Sequence, residues 1–147
     1  MPPSTVDDCS AAPEGFTPRV LRGPFFAGRT VFTGGALSDL FAARLTADDC
    51  NGLGITHGGV IATLADIFLV GFIAAQLPTQ ARLVTASLMV DYLGPSRAGD
   101  WLLGCIHAHR IGRCQCVAAG EFRVGERVVA LIRASCKIVG DAPDPHA

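Results

Sequence analysis

The chain has no basic cluster. Twelve Lys and Arg residues against thirteen Asp and Glu leave a formal charge of −1 over 147 residues. That argues against nucleic acid and against an anionic membrane surface as partners, since both are held by concentrated positive charge. The start, MPPSTVDDCSAAPEG, lacks both a basic stretch and an apolar core. No secretory leader is therefore expected, and the cytoplasm is the expected compartment. In that setting the six cysteines (Cys9, Cys50, Cys105, Cys114, Cys116 and Cys136) read as reduced thiols, not as a disulfide framework. Internal repeats and long linkers are also missing. Charge is sparse at 17% and half the residues are apolar, a composition that buries a real core in one domain. We expect a loose arm over 1–18, with Pro2, Pro3, Pro13 and Pro18, a folded domain over 19–140 and a loose tail over 141–147.

What is present is mostly period-two alternation. Val84, Ala86, Leu88, Val90 and Tyr92 fall on one side of a strand, with Thr85, Ser87, Met89 and Asp91 on the other. Cys114 to Val124 alternates likewise, as does Arg127 to Val139, where Val128, Ala130, Ile132, Ala134, Cys136 and Ile138 share a face. Trp101 to His109 is a fourth candidate. These are antiparallel strands with one buried face. The breaks RIGR (110–113) and VGER (124–127) suit hairpins. Earlier strands are expected near Arg29–Thr33 and Leu37–Thr46.

Residues 58–77 do not alternate. GGVIATLADIFLVGFIAAQL is apolar all round and ends at Pro78, which predicts a buried helix starting near Gly58 or Gly59. It is long enough to cross a bilayer. Against that, Asp66 sits near its centre, where a charge costs about 2.5–3.5 kcal/mol or more. No Lys or Arg flanks either end closely, and the strands need this helix as cover.

The spacing N-x-x-G-x-x-H-G-G, with the acid of L-A-D seven residues later, resembles the hotdog-fold thioesterases of the phenylacetate-pathway type. The likeness runs through LVTASLMVDYLGPSRAGD (83–100), IGR (111–113) and RVVALIRASCKIV (127–139), and covers about residues 25 to 139. It implies an α+β fold, one long central helix wrapped by a curved antiparallel sheet of five to six strands. It also implies hydrolysis of acyl-coenzyme A thioesters by a homo-oligomer, a dimer or dimer of dimers, with sites between subunits. Asn51 would contact the substrate carbonyl or the attacking water, His57 would orient the site, and Thr85 would position the acid or the water. Coenzyme A contacts would fall on Tyr92, Leu93, Gly94, Pro95, Ser96 and Arg97, on Arg110, Ile111, Gly112, Arg113, Cys114 and Gln115, and on Lys137. No metal or redox cofactor is implied.

Elementary chemistry reaches part of this separately. Thioester hydrolysis needs a nucleophile or a base for water, and donors for the oxygen that turns negative. The first N–H groups of a helix are free, and its dipole favours negative charge there. Gly58 and Gly59 carry nothing to block a carbonyl, so they are candidate oxyanion donors. Asp66 is the candidate base or nucleophile. Eight residues along one helix are about 12 Å, whereas donor and base each lie about 3 Å from the reacting atom. If both act, the acid comes from a second chain across a two-fold axis.

Other residues have plain readings on their own. Asn51 suits the turn of Asn-Gly, Thr85 suits a strand, and His57 suits the residue ahead of a helix. Arg97, Arg110, Arg113 and Lys137 suit solvent as well as phosphate. His107 and His109 share a face in a regular strand, as do Cys114 and Cys116, a zinc-like set. The cysteines fall on the face read as core, and no metal is expected. Phe25, Phe26, Phe68, Leu69 and Phe72 read as acyl pocket or as core. Two other activities fit the residues: a hotdog hydratase or dehydratase pairing His57 with Asp66, and an acyl-coenzyme A sensor without turnover.

Overall fold

The computed structural model describes residues 11–141. The arm up to residue 10 and the tail from 142, both read above as loose, lie outside the described residues. One helix, α1 (Gly58–Ala75), lies in the hollow of one antiparallel sheet. The strands are β1 (Thr17–Val20), β2 (Thr30–Gly34), β3 (Leu40–Arg44), β4 (Ala81–Tyr92), β5 (Trp101–Ile111), β6 (Gln115–Val124) and β7 (Arg127–Asp141). Their order across the sheet is β1-β2-β3-β5-β6-β7-β4. This is the helix-in-curved-sheet arrangement the sequence implied, with seven strands instead of five to six. The extra strand is β1, exposed at all four residues, so it has no buried face for alternation to reveal. It takes in Thr17 and Pro18, the last two positions of the segment read as an arm.

Packing explains the rest. Ile61, Leu64, Ala65, Phe68, Leu69, Phe72 and Ile73 of α1 are buried against the sheet. Phe41, Phe68 and Phe122 gather at centroid distances of 5.1 to 6.1 Å. Gly104 makes this approach possible: a Cβ there would lie 2.7 Å from the Phe68 ring. Helix α1 passes the length and hydropathy test for a membrane span, but its buried side is the core of this domain. Phe68, Leu69 and Phe72 are core residues, whereas Phe25 is exposed.

Bulges correct the face assignments; at the one in β7, Val129 is the extra residue and is buried, whereas Val128, read above as facing the core, is only half-buried. β4 pairs Thr85 with Cys136 and then Ser87 with Ser135, leaving Ala86 as an extra residue. The parity flips there. Leu88 and Val90 pack on the core, and so does Leu83, while Val84 is 51% exposed. Thr85 thereby turns toward α1. In β5, Ile106 pairs with Gly120 and Ala108 with Ala119, so His107 is the extra residue. His107 and His109 therefore do not share a face. His109 packs on Phe72 of the helix, centroids 5.0 Å apart, and His107 lies outside beside Glu121. Cys116 is buried and Cys114 exposed. The two-His, two-Cys set considered above does not assemble.

Candidate active site

A loop delivers the start of α1. Thr46 and Asp49 cap a short 3-10 turn reciprocally. The Arg29 guanidinium grips both carboxylate oxygens of Asp49, with Nη2 to Oδ2 at 2.8 Å. Burial opposes the charge on Asp49, but the hydrogen bonds from Arg29 and from the Thr46 N–H outweigh it and hold this carboxyl below its ordinary range. The Asp49 carbonyl then accepts the His57 N–H at 2.8 Å. Arg29 and Asp49 were not singled out in the sequence. T-x-x-D ahead of an apolar run was the available signal for the cap; nothing local pointed to Arg29.

The helix tip is open. His57 occupies the N-cap without a side-chain capping bond, so the first N–H groups of the helix are not capped from there. Tyr92 Oη donates to the Gly58 carbonyl at 2.5 Å. A Cβ on Gly58 would sit 3.2 Å from the Tyr92 ring and hydroxyl, so glycine lets these two elements meet. Thr56 binds the Ser96 carbonyl through both N–H (2.8 Å) and Oγ1 (3.0 Å). Ile55, Thr56, Gly58 and Ile61 from one side, and Tyr92, Leu93, Gly94, Pro95 and Ser96 from the other, line a groove of 390 Å³. Asn51 lies in the loop. Its Oδ1 accepts the N–H groups of Leu53 (2.9 Å) and Ile55 (3.2 Å), while its NH₂ group has no partner among the described residues. Arg97 is exposed, and its backbone N–H is held by Asp100.

Asp66 does not reach this groove. It is half-buried on the flank of α1 that meets β4, where Thr85 Oγ1 donates to its Oδ1 at 2.8 Å. Thr85 and Tyr92 are seven positions apart on β4, about 20 Å along the bulged strand. The Arg110–Gln115 hairpin and Lys137 lie at the Thr85 end, because Thr85 pairs with Cys136, Cys136 with Cys116 and Cys116 with Ile111. One chain thus holds two separate groups of candidate residues. The first joins the helix tip to Tyr92–Ser96. The second joins Asp66 and Thr85 to the end of the sheet that carries Arg110, Arg113 and Lys137.

The family model described as the thioesterase superfamily matches residues 53–131. A Pseudomonas aeruginosa protein provisionally named an esterase is 33% identical over 125 residues, 80% of this chain and 90% of that one. Among solved structures, the Escherichia coli PaaI protein from the phenylacetic acid degradation operon is 27% identical with a TM-score of 0.61, covering 70% of this chain and 73% of that one. A Bacillus halodurans protein solved with CoA superposes with a TM-score of 0.64 at 24% identity, covering 69% and 67% of the two chains.

Proposed function

Because the chain belongs to the thioesterase superfamily, we propose that it hydrolyses acyl-coenzyme A thioesters to free acid and CoA at a site shared by two copies. One observation carries the shared site. Gly58 and Asp66 are eight residues apart on one straight helix, about 12 Å, and they fall in different groups of candidate residues. A single carbonyl cannot touch both from one chain. The Asp66 flank of α1 is only half covered, and the edge strand β4 beside it exposes Val84, Met89 and Tyr92. A second copy turned over about a two-fold axis against this flank would bring its Asp66 to the first copy's helix tip, twice per dimer.

In this reading the thioester oxygen lies at the N–H groups of Gly58 and Gly59, where the helix dipole favours the charge that develops in the transition state. Asp66 of the other copy is the general base for water or the nucleophile itself, steadied by Thr85. Asn51 offers its NH₂ to the carbonyl or the water, and His57 orients the loop. The groove along Tyr92–Ser96 takes the pantetheine arm, and Arg97, Arg110, Arg113 and Lys137 are placed for the phosphates. The reaction uses no metal or redox cofactor and runs in the cytoplasm. The related protein solved with CoA supports the choice of thioester.

The test is thiol release from aryl, short-chain and long-chain CoA esters by the wild type, Asp66→Asn and Gly58→Val. Each variant alone is expected to be inactive. Mixing them at equal amounts with subunit exchange restores roughly a quarter of the wild-type rate, since half the dimers are mixed and each of those holds one intact site. No recovery in verified mixed dimers sinks the shared site. Reversible hydration without free thiol identifies a hydratase, and binding without turnover a sensor.

A further inference from the structure

The convex face of the sheet, away from α1, carries a cluster that thioester hydrolysis does not use. Cys105 and Glu121 are cross-strand partners on β5 and β6. The bulged residue His107 stands beside them, outside the ladder. Cys105 Sγ lies 4.0 Å from His107 Nε2 and 3.7 Å from Glu121 Oε1, and His107 Nε2 lies 3.4 Å from Glu121 Oε2. Among the described residues, this is the one group whose sulfur, imidazole nitrogen and carboxylate oxygen all fall within 4.8 Å of one another.

We propose that Cys105, His107 and Glu121 bind one divalent transition metal ion of the zinc class. Zinc bonds of about 2.3 Å to sulfur and 2.0–2.2 Å to nitrogen and oxygen give tetrahedral ligand–ligand edges of about 3.4–3.6 Å. The Cys105 Sγ–His107 Nε2 and His107 Nε2–Glu121 Oε2 separations lie within about half an ångström of those edges, and one carboxylate oxygen lies within 4.8 Å of both other donors, so side-chain adjustment closes the site without moving a strand. A thiolate, an imidazole and a carboxylate together select zinc or cobalt over magnesium or calcium, which take oxygen donors. Three protein ligands leave a fourth position for water. His107 is 53% exposed, which supplies an entry path, whereas Glu121 is 8% exposed.

The carboxylate is held in place. Arg123 Nε holds Glu121 Oε1 at 2.5 Å and so fixes the carboxylate plane. Oε2 stays turned toward His107. On binding, the Cys105 thiol gives up its proton to solvent as the metal–thiolate bond forms. Bound there, the ion clips β5 to β6 across the bulge.

The full-length chain, stripped with a chelator, is titrated with Co²⁺ and then with Zn²⁺. One Co²⁺ per chain is expected, with a sulfur-to-cobalt charge-transfer band that Zn²⁺ abolishes. Cys105→Ser removes the band, and His107→Ala weakens binding by at least about tenfold. Zn²⁺ at a hundredfold excess over Kd raises the wild-type melting temperature by about 5 °C or more, but not that of Cys105→Ser. Both metal-free variants should melt where the metal-free wild type does, which separates lost binding from lost fold. Substoichiometric binding, or a band that survives in Cys105→Ser because another cysteine holds the ion, overturns the site.

Discussion

Thr85 Oγ1 donates to Asp66 Oδ1 across 2.8 Å, from the edge strand to the flank of the central helix. This bond fixes one carboxylate oxygen. A hydrogen bond to a charged group contributes about 1.5–3 kcal/mol. Thr85→Ala is therefore expected to lower kcat about 10- to 100-fold with little change in KM, and Thr85→Ser to restore most of it. Asp66→Asn should lose about 10²–10⁴-fold. Steady-state kinetics on a CoA ester checks both. An alanine variant as slow as Asp66→Asn, or one not rescued by serine, would contradict a positioning role for Thr85.

Gly58→Ala places a methyl 3.2 Å from the Tyr92 ring, and the ring has to give way at the mouth of the groove. Activity should fall, while the melting temperature drops by no more than a few degrees. Tyr92→Phe deletes only the bond to the Gly58 carbonyl. It should cost about 1 kcal/mol in urea unfolding, separating the support of the helix tip from its accessibility.

The Arg29–Asp49 pair anchors the loop ahead of α1. Removing one partner of a largely buried pair strands the other, so Asp49→Asn should cost about 3 kcal/mol at pH 7. The folded carboxyl titrates below its unfolded value of about 3.9. Its contribution is complete above that value and is lost as pH falls through the lower folded one. The melting temperatures of wild type and variant should therefore converge on acidification below pH 4. A constant gap between pH 7 and pH 3 would show that the charge is not what stabilises the loop.

Burial pushes the Cys136 thiol up to about 11, helped by the nearby Asp66 charge and by Cys116. At pH 8 only about one molecule in a thousand carries the thiolate there. A disulfide reagent should label exposed Cys114 rapidly in the native chain and reach Cys116 and Cys136 only after unfolding. Peptide mapping of the labelled thiols gives the answer, and fast native labelling of Cys136 would refute its burial.

The helix was legible because no charged residue interrupts the apolar run between Gly58 and Pro78 except Asp66. β6 and β7 were legible because Cys116, Ala118, Phe122, Ala130, Ile132, Ala134 and Cys136 keep strict parity and are all buried. Parity failed at Ala86, His107 and Val129, where a bulge adds a residue that hydrophobic period cannot encode. The outward placement of Val84 and the separation of His107 from His109 both follow from that. The Arg29–Asp49 pair spans twenty residues, and no local rule joins positions so far apart. The candidate site was legible only as a distance: the helical rise shows that Gly58 and Asp66 cannot meet, but not that Tyr92 binds at one of them and Thr85 at the other.

The extra residue at Ala86 makes β4 one link longer between Thr85 and Leu88 than a flat ladder needs. Shortening the strand by that link would keep Thr85 pointed at the acid and merely straighten the edge. Pulling the slack out without shortening, by pairing Ala86 in regular register, would roll Thr85 to the outside and swing Val84 inward beside a carboxylate. A bulkier apolar side chain at 86 rewards that rolled arrangement, so a substitution that looks like better packing would disarm the acid without touching it.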